Sequence, residues 1–419
     1  MWSLTGLVGR AGLSTVMVIA ATRSLGVEGY GVFVGVVAYV TLVAPLSAMG
    51  AGEVLIQRVA QRHDHFRAAW GAVLALLVTI GFGLYLLMVV AGLLILPSVD
   101  PALIAVFGAA EFVAAGLLAN NIRAYAALDR YRSLAICNIG EGLARASAAV
   151  AFWMSGSDDL LTLGFLMLGT LSVVALASTV ALGRHWGRPT RPTSPLTVEA
   201  RAGAPFALTQ TSDMIQTNID KALLLSFGLD RDAGIYGAGY RLTSYAMMPV
   251  MAVLSASYPE FFRRGKVGLA TAMAYSRSLR RPLIGLAVLA GAGAALLSPV
   301  AAWAFGDQFG GVVPVAVAMS AYPLVKALQA LSGDVLTGVG DQPYRSRLQL
   351  FTAPGNIGLN LVLIPRYGWE GALVATYVSE VALLGLLVLR VRALYRRRVE
   401  DRLAVEPVSP AGQAGPDRS

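Results

Sequence analysis

Long apolar runs separated by short polar segments form the dominant pattern along the chain. The run LALLVTIGFGLYLLMVVAGLLIL at 74–96 is typical, because its apolar positions are continuous and do not alternate with polar ones. A helix that crosses a membrane needs roughly 20 consecutive apolar residues. Twelve runs reach about that length, at 2–22, 32–52, 69–96, 102–120, 134–154, 160–183, 203–227, 236–259, 282–306, 312–331, 346–365 and 370–391.

The composition agrees with this pattern and indicates a membrane protein. Hydrophobic residues make up 56% of the 419 residues, charged residues make up 14%, and the mean hydropathy is +0.65. Helices satisfy their backbone hydrogen bonds internally in lipid, whereas barrel strands would show short alternating segments. We therefore predict an all-α polytopic membrane protein, with twelve transmembrane helices in two six-helix bundles around a central cavity.

The longest polar interruption near the middle of the chain divides it into two halves. This segment, GRHWGRPTRPTSPLTVEAR at 183–201, is rich in Pro, Thr and Arg, as is typical of a linker. We predict an amino-terminal bundle at 1–183, a cytoplasmic linker at 184–201, a carboxy-terminal bundle at 202–393 and a disordered cytoplasmic tail at 394–419.

Two short matches indicate that the halves are repeats. Tyr30-Gly31 follows the first run as Tyr236-Gly237 follows the seventh, and DRYRS at 129–133 precedes the fifth run as QPYRS at 342–346 precedes the eleventh. Because each half holds six spans, the two repeats have the same orientation across the membrane. A cavity between two such repeats is the usual place for a transported substrate.

The basic residues are sorted by side of the membrane. Most of the 33 Lys and Arg lie in segments on the same side as the amino terminus, and only Arg23, Arg231 and Arg366 lie in segments on the other side. This bias predicts that both termini are cytoplasmic. It also explains the net charge of +9 without a nucleic-acid partner. The single cysteine, Cys137, excludes an intramolecular disulfide and a CxxC metal site, and we predict no metal.

Ionisable residues within the predicted spans are costly in lipid and mark a cavity or a pair. On the seventh run, four polar residues are spaced to share one helical face and predict a polar stripe along a wet cavity, with packing between helices as the alternative: Thr209, Asp213, Gln216 and Asp220. The other charges within spans are Arg10, Glu111, Glu141, Arg145, Lys221, Arg241, Lys326 and Glu380.

Each of these charges has a local interpretation. Glu141 and Arg145 are four residues apart and are expected to neutralise each other. Arg10 has no local partner, so we expect it to line the cavity and to meet an anion there. Lys326 has a cavity role or a carboxylate partner, and Arg241 is expected to extend to the outer surface. Glu111 and Glu380 are candidates for a protonation or cation site.

The amino-terminal region resembles a known family of membrane transporters. GRAGLSTVMVIAATRSLGVEGYGVF at 9–33 carries a Gly-Arg followed by Arg-x-Leu-Gly-x-x-Gly-Tyr-Gly, and NIDKALLLSFGLDRDAGIYGAGYRL at 218–242 and IPRYGWEGALVATYVSE at 364–380 extend the likeness. These motifs are similar to those of the Wzx-like polysaccharide flippases, within the multidrug/oligosaccharidyl-lipid/polysaccharide (MOP) exporter superfamily.

The resemblance implies export of undecaprenyl-pyrophosphate-linked oligosaccharide from the inner to the outer leaflet of the bacterial inner membrane, by alternating access. It implies a cavity cation for the pyrophosphate, which we place at Arg10, with Arg145, Lys326 and Lys221 as further candidates. It implies no cofactor, although H⁺ or Na⁺ could be coupled to transport. Lipid-linked oligosaccharide and membrane lipids are the expected partners, together with polymerase or glycosyltransferase machinery.

Three alternatives remain at this point. A drug or metabolite antiporter of the same superfamily would share the fold, but the basic groups within the spans do not suit cationic cargo. The peptidoglycan-precursor flippase usually has two additional helices that the sequence does not show. A polysaccharide polymerase or ligase would need a substantial external loop, and no HExxH, P-loop or Gly-x-Ser-x-Gly motif occurs, so we do not expect an enzyme.

Overall fold

The fold is helical throughout the part of the chain that the computed structural model describes. It describes the backbone of residues 2–192 and 194–405, and their side chains except at 2–8, 60, 61, 63 and 397–405. The α-helices are α1 Trp2–Thr41, α2 Ala51–Gln61, α3 Phe66–Leu76, α4 Phe82–Ile95, α5 Pro101–Gly108, α6 Ala115–Ala127, α7 Tyr131–Ser155, α8 Leu160–Trp186, α9 Leu196–Ser226, α10 Asp230–Ala246, α11 Met248–Val267, α12 Leu269–Phe305, α13 Val312–Ala318, α14 Tyr322–Gly338 and α15 Gln342–Val405.

Several of these helices combine or divide the predicted spans. α1 and α15 each contain one non-helical residue, Gly26 with φ 65° and Gly368 with φ 56°, where the sequence places a turn between two spans. A Cβ on Gly371 would overlap the carbonyl oxygen of Leu363, so the chain reverses at Gly368. Short π-helical segments, Leu77–Gly81 and Ala109–Ala114, join α3 to α4 and α5 to α6 into continuous spans.

Seven stretches of the described residues are long and apolar enough to cross a membrane: Gly9–Leu46, Phe66–Ile95, Pro101–Ala127, Leu160–Trp186, Leu269–Phe305, Asp307–Gly338 and Gln342–Arg396. The first and last of these stretches include the breaks at Gly26 and Gly368. α7, α9 and the α10–α11 pair complete the bundles with more polar sequences. The predicted fold class, an all-α polytopic membrane protein, is confirmed.

The core is joined at one end of the molecule and divided at the other. One cluster of buried residues unites both halves of the chain and includes Tyr30, Phe33, Phe107, Tyr236 and Phe309. Two further clusters are separate: one lies in the first half and includes Leu55, Trp70 and Leu118, and the other lies in the second half and includes Leu254, Phe261 and Leu331. We call the end with the shared cluster, near Gly26 and Gly368, the closed end, and the opposite end the open end.

The two halves meet at the closed end through small residues on α1 and α10. A Cβ on Gly31 would overlap the carbonyl oxygen of Asp230, and a Cβ on Gly234 would overlap that of Val27. Only glycine permits so close an approach of two helix backbones. The repeated Tyr-Gly pairs noted in the sequence therefore lie along one contact, with both tyrosine rings fully buried.

The second sequence match corresponds to equivalent turns at the open end. Asp129, with φ 56°, ends α6, and the Arg130 amide donates to the carbonyl of Tyr125. Gly340, with φ 85°, ends α14, and the Asp341 amide donates to the carbonyl of Leu336 in the same way. Both turns satisfy the last helical carbonyls with a left-handed residue.

The segment between the halves is shorter than predicted, and the first half of α9 packs on the amino-terminal bundle. α8 continues to Trp186 and α9 starts at Leu196. Glu199 binds Arg58 of α2 at 2.7 Å, and a Cβ on Gly203 would overlap the Met49 carbonyl.

At the carboxy-terminal end, α15 remains helical to Val405, since RRRVEDRLAV is rich in helix-forming residues. Residues 406–419 lie outside the described residues. The predicted division into domains stays a prediction.

Candidate functional site

A cavity of about 410 Å³ lies in the amino-terminal bundle and is also lined by α9. Its polar and charged lining residues are Arg10, Thr41, Ser47, Glu111, Asn120, Arg123, Asn138, Glu141 and Gln210. Both halves of the chain contribute to its wall, because Gln210 and Met214 belong to α9.

A break in the second span makes room for the cavity. The predicted span 32–52 is helical only to Thr41, a short 3₁₀ segment follows at Ala44–Leu46, and α2 starts at Ala51. Pro45 lacks an amide proton, and Met49 and Gly50 have positive φ angles of 48° and 69°, so a regular helix cannot continue here. Backbone that is not helical is tolerated at membrane depth where it borders a cavity.

Two cations and two carboxylates form a paired cluster at the wall of this cavity. Arg145 binds both oxygens of Glu111, with Nη2 at 2.8 Å from Oε2, and its Nη2 lies 3.2 Å from Glu141 Oε1. Arg10 Nη2 binds the same Glu141 oxygen at 3.0 Å. The expected Glu141–Arg145 pair is therefore present, but both of its members have a second partner.

The two arginines of the cluster differ in exposure. The Arg145 side chain is 15% exposed and is held by two carboxylates, whereas the Arg10 side chain is 41% exposed and is held by one. Arg10 lines the cavity and retains N–H groups for a ligand. Arg145 is absent from the cavity lining among the described residues.

Arg123 is a second cavity cation that sequence reasoning missed. Its Nε binds Glu53 at 3.0 Å and its Nη2 binds Gln210 at 2.9 Å, so it connects α6, α2 and α9. The fourth span was predicted to end at residue 120, which placed Arg123 in a loop, but α6 continues to Ala127. The polar sequence NNIRAY at 120–125 concealed the continuing helix.

The predicted polar stripe of α9 does not face one wet surface. The Thr209 hydroxyl donates to the Pro205 carbonyl within the helix, and Gln216 donates to Thr352 of α15 at 3.0 Å. Asp213 is exposed and accepts from Gln349 at 3.2 Å, while Asp220 is 1% exposed. Gln216 and Asp220 therefore contact neighbouring helices, as the packing alternative expects, whereas the Asp213 side chain is exposed.

Lys221 is buried at the junction of α9 and α10, and its predicted role as a substrate ligand stays a prediction. Its Nζ lies 2.9 Å from Asp220 and 3.8 Å from the centre of the Tyr240 ring. The Tyr236 hydroxyl donates to the other Asp220 oxygen at 2.7 Å. Burial of an ammonium group requires such a paired anion, so this lysine stabilises the α9–α10 junction.

The remaining candidates pair within the carboxy-terminal bundle. Lys326 Nζ lies 2.5 Å from Glu380 Oε1, and Gln329 donates to Glu380 Oε2 at 2.7 Å. The carboxylates of the two candidate coupling residues, Glu111 and Glu380, therefore form ion pairs with Arg145 and Lys326. Arg241 is partly exposed and lines a cavity of about 180 Å³ together with Val34 and Lys221.

Comparisons with known proteins agree with this architecture. Residues 1–264, more than half of the chain, match the family model described as "Polysaccharide biosynthesis protein". No curated protein matches the chain in sequence.

Solved structures of MATE transporters share the fold. An inward-facing multidrug resistance MATE family transporter of the MOP superfamily is 14% identical, with a TM-score of 0.73 over 92% of this chain and 95% of that chain. An outward-facing structure has a TM-score of 0.59 at 14% identity, over 94% of each chain. DinF-BH in complex with R6G has a TM-score of 0.62 at 17% identity, over 95% of this chain and 94% of that chain. The resemblance expected from the sequence is confirmed: this chain belongs to the family of polysaccharide biosynthesis proteins and has the fold of the MATE transporters of the MOP superfamily.

Proposed function

We propose that the protein is a flippase that moves undecaprenyl-pyrophosphate-linked oligosaccharide from the inner to the outer leaflet by alternating access. The observation that carries this proposal is the cavity of about 410 Å³ with Arg10 on its wall, in a molecule whose core is shared at one end and divided at the other. A pyrophosphate with attached sugars cannot cross hydrocarbon unaided, because it would lose its water without replacement.

An apolar groove beside the cavity suits an amphiphilic cargo. This groove, of about 440 Å³, is lined by α3, α4 and the π-helical segment Ala109–Ala114, and it shares Ser47 with the cavity. Within that segment, Glu111 lines the cavity while Phe112 and Val113 line the groove. The anionic head of a lipid carrier would occupy the cavity while its hydrocarbon chain stays in the groove.

The charges that line the cavity balance, so binding of an anion requires an exchange of partners. Arg10 and Arg123 face Glu111 and Glu141. A pyrophosphate near Arg10 would compete with Glu141 for the same guanidinium. Release of Arg10 from Glu141 would therefore accompany cargo binding. Coupling of H⁺ or Na⁺ to transport at Glu111 or Glu380 is part of the same proposal.

Alternating access would open the closed end and close the open end. The contacts to be broken include the α1–α10 glycine contact and the hydrogen bond from the Val27 amide to Gln308 at 3.1 Å. The higher TM-score to the inward-facing relative supports assignment of the open end to the cytoplasm, as does the bias of basic residues. Outward movement of an anion is then favoured by about 2.3 kcal/mol per charge per 100 mV.

A cation-coupled drug or metabolite antiporter is the second candidate. The cavity carboxylates Glu111 and Glu141 favour it, and so does the MATE fold. The polymerase or ligase alternative has no comparable observation in its favour.

A leaflet-accessibility assay in proteoliposomes separates the two candidates. A fluorescent pyrophosphate-linked glycolipid should become accessible on the other face in the presence of the protein, whereas a cationic drug should not be transported. Arg10→Gln should reduce glycolipid flux at least tenfold, since a charge-assisted bond to phosphate is worth about 1.5–3 kcal/mol. Lys266→Gln, which removes an exposed cation outside the cavity, is the matched control. Drug transport without glycolipid flux would assign the antiporter function instead.

A further inference from the structure

A second cavity, of about 280 Å³, lies between α12, α14 and α15 near the open end of the carboxy-terminal bundle. It shares no lining residue with the cavity proposed for the cargo. Its walls are of two kinds: apolar side chains such as Leu328, Leu384 and Val388, and three arginines, Arg277, Arg280 and Arg392.

The three arginines lack an anionic partner among the described residues. Arg277, Arg280 and Arg392 are exposed and form no ion pair or hydrogen bond with any described side chain or backbone group. Arg390, only two residues from Arg392, instead binds Asp341 at 2.8 Å and stacks on Tyr344. Three guanidinium groups from two helices thus converge on one cavity, and no anion among the described side chains pairs with them.

Helix geometry places these arginines at the level of lipid phosphates. At 1.5 Å per residue, Arg280 lies about 37 Å from Phe305 at the closed end of α12, and Arg392 lies about 36 Å from Gly368 in α15. Both values exceed the hydrocarbon thickness of about 30 Å, so the guanidinium groups reach the headgroup region. Leu384 lies about 12 Å deeper than Arg392 along the same helix, within the hydrocarbon.

We propose that this cavity binds an anionic phospholipid of the surrounding membrane. The headgroup phosphate would be bound by Arg277, Arg280 and Arg392, and one acyl chain would lie along Leu384 and Val388. Basic cavities between transmembrane helices at the cytoplasmic interface suit such headgroups, because the cytoplasmic leaflet carries anionic lipids. The bound lipid would link α12 to α15 at the open end, and this proposal does not depend on the identity of the cargo.

Lipid titration of the purified full-length protein, followed by native mass spectrometry, tests this site. The probes are cardiolipin, phosphatidylglycerol and phosphatidylcholine, with inorganic phosphate as a competitor. The variant R277Q/R392Q removes two of the three cations. The matched control, R281Q/R347Q, removes two exposed arginines that do not line the cavity.

Wild type and control should bind one anionic lipid with preference over phosphatidylcholine, and R277Q/R392Q should bind it about 30-fold more weakly. Equal losses in the two variants would overturn the proposal, because they would indicate a general surface charge effect. So would equal binding of phosphatidylcholine, displacement by millimolar inorganic phosphate, or binding of undecaprenyl phosphate without binding of either phospholipid.

Discussion

At the scale of single residues, the sequence identified the charges within the spans but only one of their pairings. Spacing along one helix predicted the Glu141–Arg145 pair, because four residues make one helical turn. The bond from Arg10 to Glu141 joins positions 131 residues apart, and it depends on how α1 and α7 are rotated against each other. Periodicity cannot fix such a rotation. The burial of the Lys221–Asp220 pair against α10 likewise depends on packing between helices and could not be predicted from spacing.

The Asp220–Lys221 pair gives a prediction on stability. Asp220→Asn leaves the buried Lys221 ammonium without its anion, and loss of one partner of a buried pair destabilises a protein by about 3 kcal/mol or more. We expect a clearly lower melting temperature in detergent. Asp213→Asn is the control on the same helix, because Asp213 is exposed, and it should change stability by less than about 0.5 kcal/mol. Equal shifts in the two variants would show that Lys221 is not held as described.

At the scale of helices, the apolar runs predicted the existence of the spans better than their ends. The predicted turns near 26 and 368 coincide with the non-helical glycines, since glycine alone adopts positive φ without strain. The break between Thr41 and Ala51 was missed, because APLSAMGAG carries no charged residue and so did not interrupt the apolar run. Arg123 was missed for the opposite reason, since its polar neighbours resemble a loop.

The α1–α10 glycine contact gives a prediction at this scale. Gly31→Val places a side chain against the Asp230 carbonyl, and such overpacking destabilises the contact by about 1–3 kcal/mol. The closed end should then open more often. Val27 is 2% exposed. A membrane-impermeant maleimide should therefore label a cysteine at this position faster in the Gly31→Val protein than in the same protein with Gly31 intact.

Gly12→Val on the same helix is the control for this substitution, since a Cβ at Gly12 meets no other side chain within 4 Å. If Gly31→Val left the labelling rate at the level of Gly12→Val, the glycine contact would not hold the closed end together.

At the scale of the whole molecule, the weak internal repeat in the sequence has structural counterparts, while the division of the chain into two bundles stays a prediction. The matched turns at Asp129 and Gly340 and the tyrosines at the α1–α10 contact are the structural counterparts of the two sequence matches. The end at which the bundles part could not be predicted, because both conformations of an alternating-access protein use the same apolar positions. The packing of the first half of α9 on the amino-terminal bundle likewise depends on contacts between residues far apart in sequence, such as Arg58 and Glu199.

Distances between spin labels on the two bundles during cargo binding test the central claim most directly. In a Cys137→Ala background, one pair at Tyr131 and Gln342 reports the open end, and another pair at Asp158 and Tyr367 reports the closed end. With pyrophosphate-linked glycolipid in vesicles and a membrane potential imposed, we expect the first distance to shorten and the second to lengthen in the same population. Distances that stay fixed while the glycolipid is translocated, or that change in the same direction, would contradict the account.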